Sequence, residues 1–261
     1  MKKIMAGVID NCKVSAGFYR MSVKSAYLAK NTRPGQFFEI KCPDGSGVFL
    51  RRPLGVHRIN KDSVDMLYEV VGKGTLVLSK MKAGQELDVI GPLGNGFDLP
   101  ATNARRLTTI LIAGGIGVAP LVALAESLKT HGNITAIIGA CKRSHVLCES
   151  DMKNTGAKVL VATEDGSKGT KGLVTDLLVK VLSTASGQRP TTIYACGPIG
   201  MLKAVAAIAV KHSIPCQVSM EERMACGVGV CLGCPVKMKK TGEYKMVCKD
   251  GPVFDAKGIA W

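Results

Sequence analysis

Leu107-Thr-Thr-Ile-Leu-Ile-Ala113, followed directly by Gly114-Gly115-Ile116-Gly117-Val118-Ala119-Pro120, sets the architecture of this 261-residue chain. The first seven residues read as a buried strand, and the apolar run after the glycines reads as a helix reaching 128. A short, nearly continuous apolar strand suits a parallel sheet covered on both faces. The glycine loop then lies at the strand's C-terminal end. Open α/β sheets bind nucleotide phosphates there, against a helix N-terminus. The loop is Gly-Gly-x-Gly rather than G-x-G-x-x-G, so the dinucleotide fingerprint is not strictly met. A tight strand-to-helix turn without a ligand stays open as the alternative.

The pattern continues toward the C-terminus. Strands at 134–140, 158–162 and 192–195 alternate with helical segments that include 173–182 and 201–212. This predicts a doubly wound parallel nucleotide-binding domain over 101–219. Cys196-Gly197-Pro198-Ile199-Gly200-Met201 follows the last of these strands, on the same binding edge. Cys196 is either a buried thiol or a group approaching a bound ring. Thr163-Glu164-Asp165-Gly166-Ser167 is a third loop on that edge, either a solvated turn or a contact to ribose hydroxyls.

Toward the N-terminus the period changes. Segments 21–28, 36–41, 65–71 and 86–90 have strand-like composition, and turn signals at 31–35, 43–47 and 91–96 separate them. Short strands at this spacing predict a small antiparallel barrel over 1–100. Arg51-Arg52-Pro53-Leu54-Gly55 places a fork-shaped cation at a proline-fixed turn, which suits a phosphate or a plain surface. Tyr68-Glu69-Val70-Val71-Gly72-Lys73-Gly74-Thr75 ends a strand in two glycines and a hydroxyl. Its amides can hold a pyrophosphate or close a simple turn, and it is not a G-x4-G-K-[ST] loop.

The last segment, 220–261, carries Cys226-Gly227-Val-Gly229-Val-Cys231-Leu-Gly233-Cys234, with Cys248 beyond. The spacing C-x4-C-x2-C-x13-C is that of a plant-type [2Fe–2S] centre with a distant fourth thiolate. Gly227, Gly229 and Gly233 are expected to let the backbone wrap closely and aim N–H groups at the sulfurs. A structural zinc site is the alternative. Zinc sites usually pair their ligands at short spacing twice, and Cys248 has no near partner in sequence.

Composition bounds the rest. No apolar run reaches the ~18 residues of a membrane span. Asp10 ends the basic, apolar start too early for a signal peptide, so a cytoplasmic location is expected. The ten cysteines do not have the spacing of a small secreted scaffold and are read mostly as buried free thiols. A balance of 35 Lys+Arg against 20 Asp+Glu raises the question of nucleic acid. The basic residues are not in blocks, and only five Tyr and one Trp accompany them. Attraction to anionic cofactors or an acidic partner is the better account. The four histidines are scattered and no H-E-x-x-H is present, so no catalytic acid–base side chain is predicted.

Arg52-Pro53-x-x, Gly72-x-Gly74-Thr75, Gly114-Gly-Ile-Gly117-x-Ala-Pro120 and Cys196-Gly197-Pro198-x-x-Met201 occur in this order. In that order the chain resembles, over essentially its whole length, the ferredoxin–NADP reductase-like flavoproteins. It is most similar to the electron-transfer subunits of NAD-dependent (type B) dihydroorotate dehydrogenases. The most specific part is Glu221-Glu222-Arg223-Met224-Ala225-Cys226 through Cys234, with Val247-Cys248-Lys-Asp-Gly-Pro-Val-Phe254. The resemblance implies an FAD-carrying barrel, an NAD domain and a [2Fe–2S] segment. It also implies an FMN-containing catalytic dihydroorotate dehydrogenase subunit as partner, in a heterotetramer of two of each, serving pyrimidine biosynthesis. Carried over by position, Arg52, Pro53, Leu54, Gly55, Leu67, Tyr68, Glu69, Gly74 and Thr75 line the FAD. Gly114, Gly115, Gly117, Pro120, Gly197 and Pro198 hold NAD, with Cys196 near the nicotinamide. Cys226, Cys231, Cys234 and Cys248 ligate iron. Related ferredoxin–NADP and sulfide dehydrogenase-type reductases tend to have an acidic residue where Cys226 stands. The family's Arg-Pro-x-Ser reads Arg-Pro-x-Gly here, which implies weaker FAD binding. Lys142-Arg143, after a nucleotide-domain strand, leave a 2′-phosphate open.

Overall fold

The computed structural model describes residues 1–100, 107–184 and 190–261. The start of the nucleotide domain, expected at 101, lies outside the described residues. The first part is a closed antiparallel barrel of six strands. These are β1 (Lys2–Ser15), β2 (Phe18–Lys24), β3 (Phe37–Ile40), β4 (Arg52–Ile59), β5 (Ser63–Glu69) and β6 (Glu86–Leu93), joined in the order β1-β2-β5-β4-β3-β6. Closure leaves no open sheet edge, and inward residues such as Met21, Phe38, Val56, Met66 and Val89 fill the interior.

The expected strand at 21–28 is corrected. β2 ends at Lys24, and α1 (Ala26–Asn31) follows, opened by Ser25. The Ser25 hydroxyl accepts from the Leu28 amide at 3.3 Å, an N-cap that composition alone did not expose. Arg52-Pro53 is also not a turn. Arg52–Gly55 pair with β3, and pairing with β5 begins only at Val56. Pro53 thus sits where the strand has one neighbour, the position at which a proline is tolerated.

The second part is a seven-stranded sheet. Its strands are β7 (Leu107–Gly114), β8 (Gly132–Ala140), β9 (Lys158–Thr163), β10 (Thr170–Lys171), β11 (Thr191–Cys196), β12 (Cys216–Ser219) and β15 (Val253–Asp255). The order is β10-β9-β8-β7-β11-β12-β15, parallel throughout except at β15. Residues alternate between two cores, as a doubly covered sheet requires. Ile110 and Ile112 pack with α5 (Val174–Thr184) and α6 (Ile199–Lys211). Leu111 and Ala113 pack with α3 (Val118–Leu128) and α4 (Glu149–Asn154). The chain winds outward from β7 in both directions, so the carboxyl ends of β7 and β11 flank the switch point where such sheets bind ligands.

The third part is a hairpin, β13 (Pro235–Lys237) with β14 (Tyr244–Met246), then the short α7 (Val247–Asp250) and β15. β15 returns to the edge of the large sheet against β12, so Phe254, Ala256 and Ile259 share the nucleotide-domain core. Asn95 ties α7 to the barrel through its amide to Gly251 O at 2.6 Å and its side chain to Asp250 O at 3.0 Å. Among the described residues no helix is long and apolar enough to cross a membrane.

Candidate functional site

The four cysteines of the last segment lie as two pairs. Cys234 and Cys248 bring their sulfurs to 3.3 Å. Cys226 and Cys231 are in hydrogen-bonding contact with each other. Among the described residues, no three of these four sulfurs form a group within 4.8 Å of one another. A single tetrahedral zinc ion draws four ligands around one point, whereas two irons take two thiolates each. The paired arrangement fits the cluster. Backbone N–H groups also point at the sulfurs. Val228 and Cys231 donate to Cys226 Sγ at 3.5 and 3.4 Å, Gly229 to Cys248 Sγ at 3.1 Å and Cys248 to Cys234 Sγ at 3.5 Å. Burial pushes the Cys226 thiol up, but the amides of Cys231 and Val228 outweigh it and bring it down to about 6. Gly227 and Gly229 take the left-handed conformation expected of them, at φ 68° and 82°. The third left-handed residue is Leu232, at φ 55°, rather than Gly233.

The cluster loop leans on the barrel. A side chain at Gly227 would collide with Glu39 of β3. Glu39 is 1% exposed, and neither carboxylate oxygen has a hydrogen-bond partner. Burial pushes it up to about 7 despite Arg51.

A cavity of about 360 Å³ lies between the barrel and the switch point. Pro53, Leu54, Gly55, Leu67, Tyr68, Glu69 and Thr75, the residues expected to line the FAD, line its barrel side. Pro120 and Cys196 line the opposite wall. Arg52 and Gly74 form the adjoining cradle, where a Cβ on Gly74 would overlap the Arg52 guanidinium. Arg52 Nη1 donates to the carbonyls of Leu50 and Arg51, both at 2.9 Å. Gly72 caps α2 (Lys73–Leu78), and the Thr75 hydroxyl receives the Val71 amide at 3.1 Å. A cation fixed against bare backbone is a phosphate-binding arrangement, and the apolar cavity beside it suits a flat ring system.

A second cavity of about 430 Å³ opens on the nucleotide domain. Gly114, Gly115 and Pro198 line it, with Gly139, Ala140, Cys141 and Glu164 at the ends of the neighbouring strands. Glu69 and Ile116 belong to the walls of both cavities, so the two meet there. Gly117 and Gly197 line neither. A Cβ on Gly117 would strike the Cys196 carbonyl, and one on Gly197 would lie 2.9 Å from the Gly114 amide. Their role is to let the two switch-point loops touch. Cys196 is 1% exposed and faces the first cavity, where burial and Glu221 push its thiol up.

Lys142 and Arg143 line a different cleft, and among the described residues no lysine or arginine lines the second cavity. Glu164 does, with Cys141 Sγ 3.5 Å from its Oε1. Sequence reasoning missed Gly35–Phe37 and Ser219–Met220 as walls of the first cavity. It assigned Glu221–Met224 to the cluster segment, although Glu221, Glu222 and Met224 line this cavity as well. The signal was present in the Pro34-Gly35-Gln36 turn, whose glycine has φ 89°.

Two protein families match the chain. The iron-sulfur cluster binding domain of dihydroorotate dehydrogenase B matches residues 221–260, and the oxidoreductase NAD-binding domain matches 111–207. The chain is 39% identical to the dihydroorotate dehydrogenase B (NAD(+)) electron transfer subunit of Caldanaerobacter subterraneus subsp. tengcongensis, covering 98% of each. It is 38% identical to that of Fusobacterium nucleatum, covering 97% of this chain and 96% of the relative. Among solved structures, the NADH-dependent reduced ferredoxin-NADP oxidoreductase superposes with a TM-score of 0.86 at 30% identity, covering 100% of this chain and 91% of the other. The ferredoxin reductase of carbazole 1,9a-dioxygenase shares the fold, with a TM-score of 0.68 at 21% identity over 82% of this chain and 67% of the other.

Proposed function

The chain belongs to the electron transfer subunits of NAD(+)-dependent dihydroorotate dehydrogenase B, and from that membership we infer that it carries electrons between a catalytic partner subunit and NAD+. It is an oxidoreductase subunit of the flavin reductase fold that uses FAD, a [2Fe–2S] cluster and NAD(H). The observation that carries the reading is the order of its sites. The nucleotide cavity meets the barrel cavity at Glu69 and Ile116. Phe37 lines the barrel cavity and packs in the same core as Cys234 and Cys248. Three sites in series are what a relay needs.

When bound, the flavin exchanges electrons in pairs with a nicotinamide and singly with an iron–sulfur centre. The protein's part is positional. We assign Arg52 and the amides at Gly74-Thr75 to the flavin's phosphates, and Pro53–Gly55 with Leu67–Glu69 to its ring and ribityl chain. Gly114, Gly115 and Pro198 form the floor under the dinucleotide, while Gly117 and Gly197 keep the floor closed. Buried Cys196 excludes water from the wall of the ring cavity. Cys226 with Cys231, and Cys234 with Cys248, hold one iron each. The catalytic partner is an FMN-containing subunit that oxidises dihydroorotate, assembled with this chain as a heterotetramer for pyrimidine biosynthesis. The six cysteines outside the cluster are free thiols, which suits a reducing compartment, and we place the chain in the cytoplasm.

The test is spectrophotometric. Purified chain with FAD and cluster intact should pass electrons from NADH to a dye. It should reduce NAD+ with dihydroorotate only after an FMN-bearing partner is added. Dihydroorotate oxidation by the chain alone would overturn the subunit reading, and absence of NADH-to-dye activity would overturn the reductase reading.

Glu164 favours NAD over NADP, because a 2′-phosphate beside it would meet a carboxylate and, among the described residues, no lysine or arginine. Glu164→Gln is expected to raise kcat/KM for NADPH relative to NADH by about tenfold, equivalent to about 1.4 kcal/mol. An unchanged ratio in the dye assay would remove Glu164 from the ribose site.

A further inference from the structure

We propose that His57, Cys148 and Asp151 form a divalent-metal site, zinc by the chemistry of its donors, that ties the barrel to the nucleotide half of the molecule. The donor atoms of the three lie within 4.8 Å of one another. They come from β4, from the residue before α4 and from α4 itself. Imidazole nitrogen, thiolate sulfur and carboxylate oxygen are zinc's usual ligands. Bonds of about 2.0–2.3 Å around a tetrahedral ion put the donors about 3.3–3.8 Å apart, so the three need to draw in by no more than about 1.5 Å. None of the three lines the flavin or nucleotide cavity.

Two backbone irregularities bring these side chains to one point. β4 and β5 pair as Val56 with Met66 and then Arg58 with Asp65, so His57 is the extra residue of a bulge. Bulges re-aim a side chain out of the ladder. Cys148 has φ 55°, a left-handed conformation that non-glycine residues rarely adopt.

Supporting contacts surround the donors as well. His57 Nδ1 lies 3.0 Å from the Ala119 carbonyl. A carbonyl only accepts, so Nδ1 carries the proton and Nε2 keeps its lone pair for a metal. Arg58 Nη2 holds Asp151 Oδ1 at 2.8 Å, and Arg58 Nε pairs with Glu126 at 3.1 Å. The carboxylate is thereby oriented. Within 4.8 Å of the Asp151 carboxylate lies the Cys148 thiol. Metal binding releases its proton to solvent, and the thiolate with the Asp151 and Glu126 carboxylates then balances the ion together with the Arg58 guanidinium. All three residues border a cleft of about 810 Å³ between the end of the β1–β2 hairpin and the 142–151 segment. That cleft supplies an entry path and water for the fourth position.

The experiment uses the holoprotein, with FAD and cluster in place, and zinc ion as the probe. After equilibration against a competing chelator, zinc and iron are counted together, and the zinc shell is read by X-ray absorption. The expected result is one zinc per chain, unchanged iron, and a shell of one sulfur with nitrogen and oxygen. His57→Ala and Cys148→Ser should each weaken zinc binding by about tenfold or more. Asp151→Asn, at a half-exposed helix position, gives the same reading without disturbing the bulge. Zinc below stoichiometric levels, zinc undiminished in all three variants, or a four-sulfur shell that places it among Cys226, Cys231, Cys234 and Cys248, would each overturn the site.

Discussion

Cys234→Ser is expected to leave a folded, FAD-binding protein with less than about a tenth of its iron, because a plant-type [2Fe–2S] centre is held by four thiolates and this one is buried. Cys234 is the severe case for structural reasons. It is 2% exposed, its sulfur is 3.3 Å from Cys248 and it receives the Cys248 amide. Serine's oxygen is a harder and shorter ligand, and burial keeps solvent from replacing the lost thiolate. Cys248→Ser should behave alike. Cys231 is exposed, so solvent or a rotated side chain can partly replace it, and Cys231→Ser should retain more iron than the buried pair. Cys12→Ser, a thiol on the barrel surface that meets Arg20, is the control and should keep full iron. The measurement is iron per chain with the visible spectrum. Full iron content in Cys226→Ser, Cys234→Ser and Cys248→Ser alike would sink the assignment. NADH-to-dye activity should survive the loss of the cluster, because the nucleotide and ring cavities meet at Glu69 and Ile116, away from the cysteines.

How far the sequence carried depended on whether a feature was written locally. The β7 strand and its glycine loop were legible because a buried parallel strand is apolar on both faces. The cysteine spacing was legible because ligands close in sequence are close in space. The pairing of Cys234 with Cys248 was not, since the β13–β14 hairpin folds between them. β1 was missed because only Ala6 and Val8 of its fourteen residues are buried, so its alternation is too weak to see. β4 was missed because Arg51-Arg52-Pro53 carries turn chemistry, and only the one-sided pairing of its first half makes it a strand. The cavity wall at Ser219–Glu222 was unreadable for another reason. It is formed where the chain leaves β12, and its neighbours across the cavity are the barrel residues Gly35–Phe37. The tie between the last segment and the nucleotide half was unreadable as well, since it is made by β15 pairing with β12 at the sheet edge.

Arg52→Ala is expected to weaken FAD binding by roughly ten- to a hundredfold, since a hydrogen bond to a charged group is worth about 1.5–3 kcal/mol. The geometry adds a second route to the same loss. The Arg52 guanidinium lies against Gly74, in the space a Cβ would occupy. Gly74→Ala therefore keeps the arginine but pushes its flexible end away from the cradle, at little cost to folding. If Arg52 acts by position, Gly74→Ala should reproduce most of the Arg52→Ala defect with the charge still present. Gly55 gives the opposite sign. A Cβ there meets nothing within 4 Å, and the residue lines the ring cavity. Gly55→Ser adds a hydroxyl without a clash and should tighten FAD by up to about tenfold if that hydroxyl reaches a phosphate. Dissociation constants from flavin fluorescence on apoprotein, reconstituted with FAD under anaerobic conditions, measure all three variants on one scale. Undiminished affinity in Arg52→Ala would make this arginine a surface residue. Loss in Arg52→Ala with wild-type affinity in Gly74→Ala would mean that charge alone matters and that the bare glycine backbone serves only the turn.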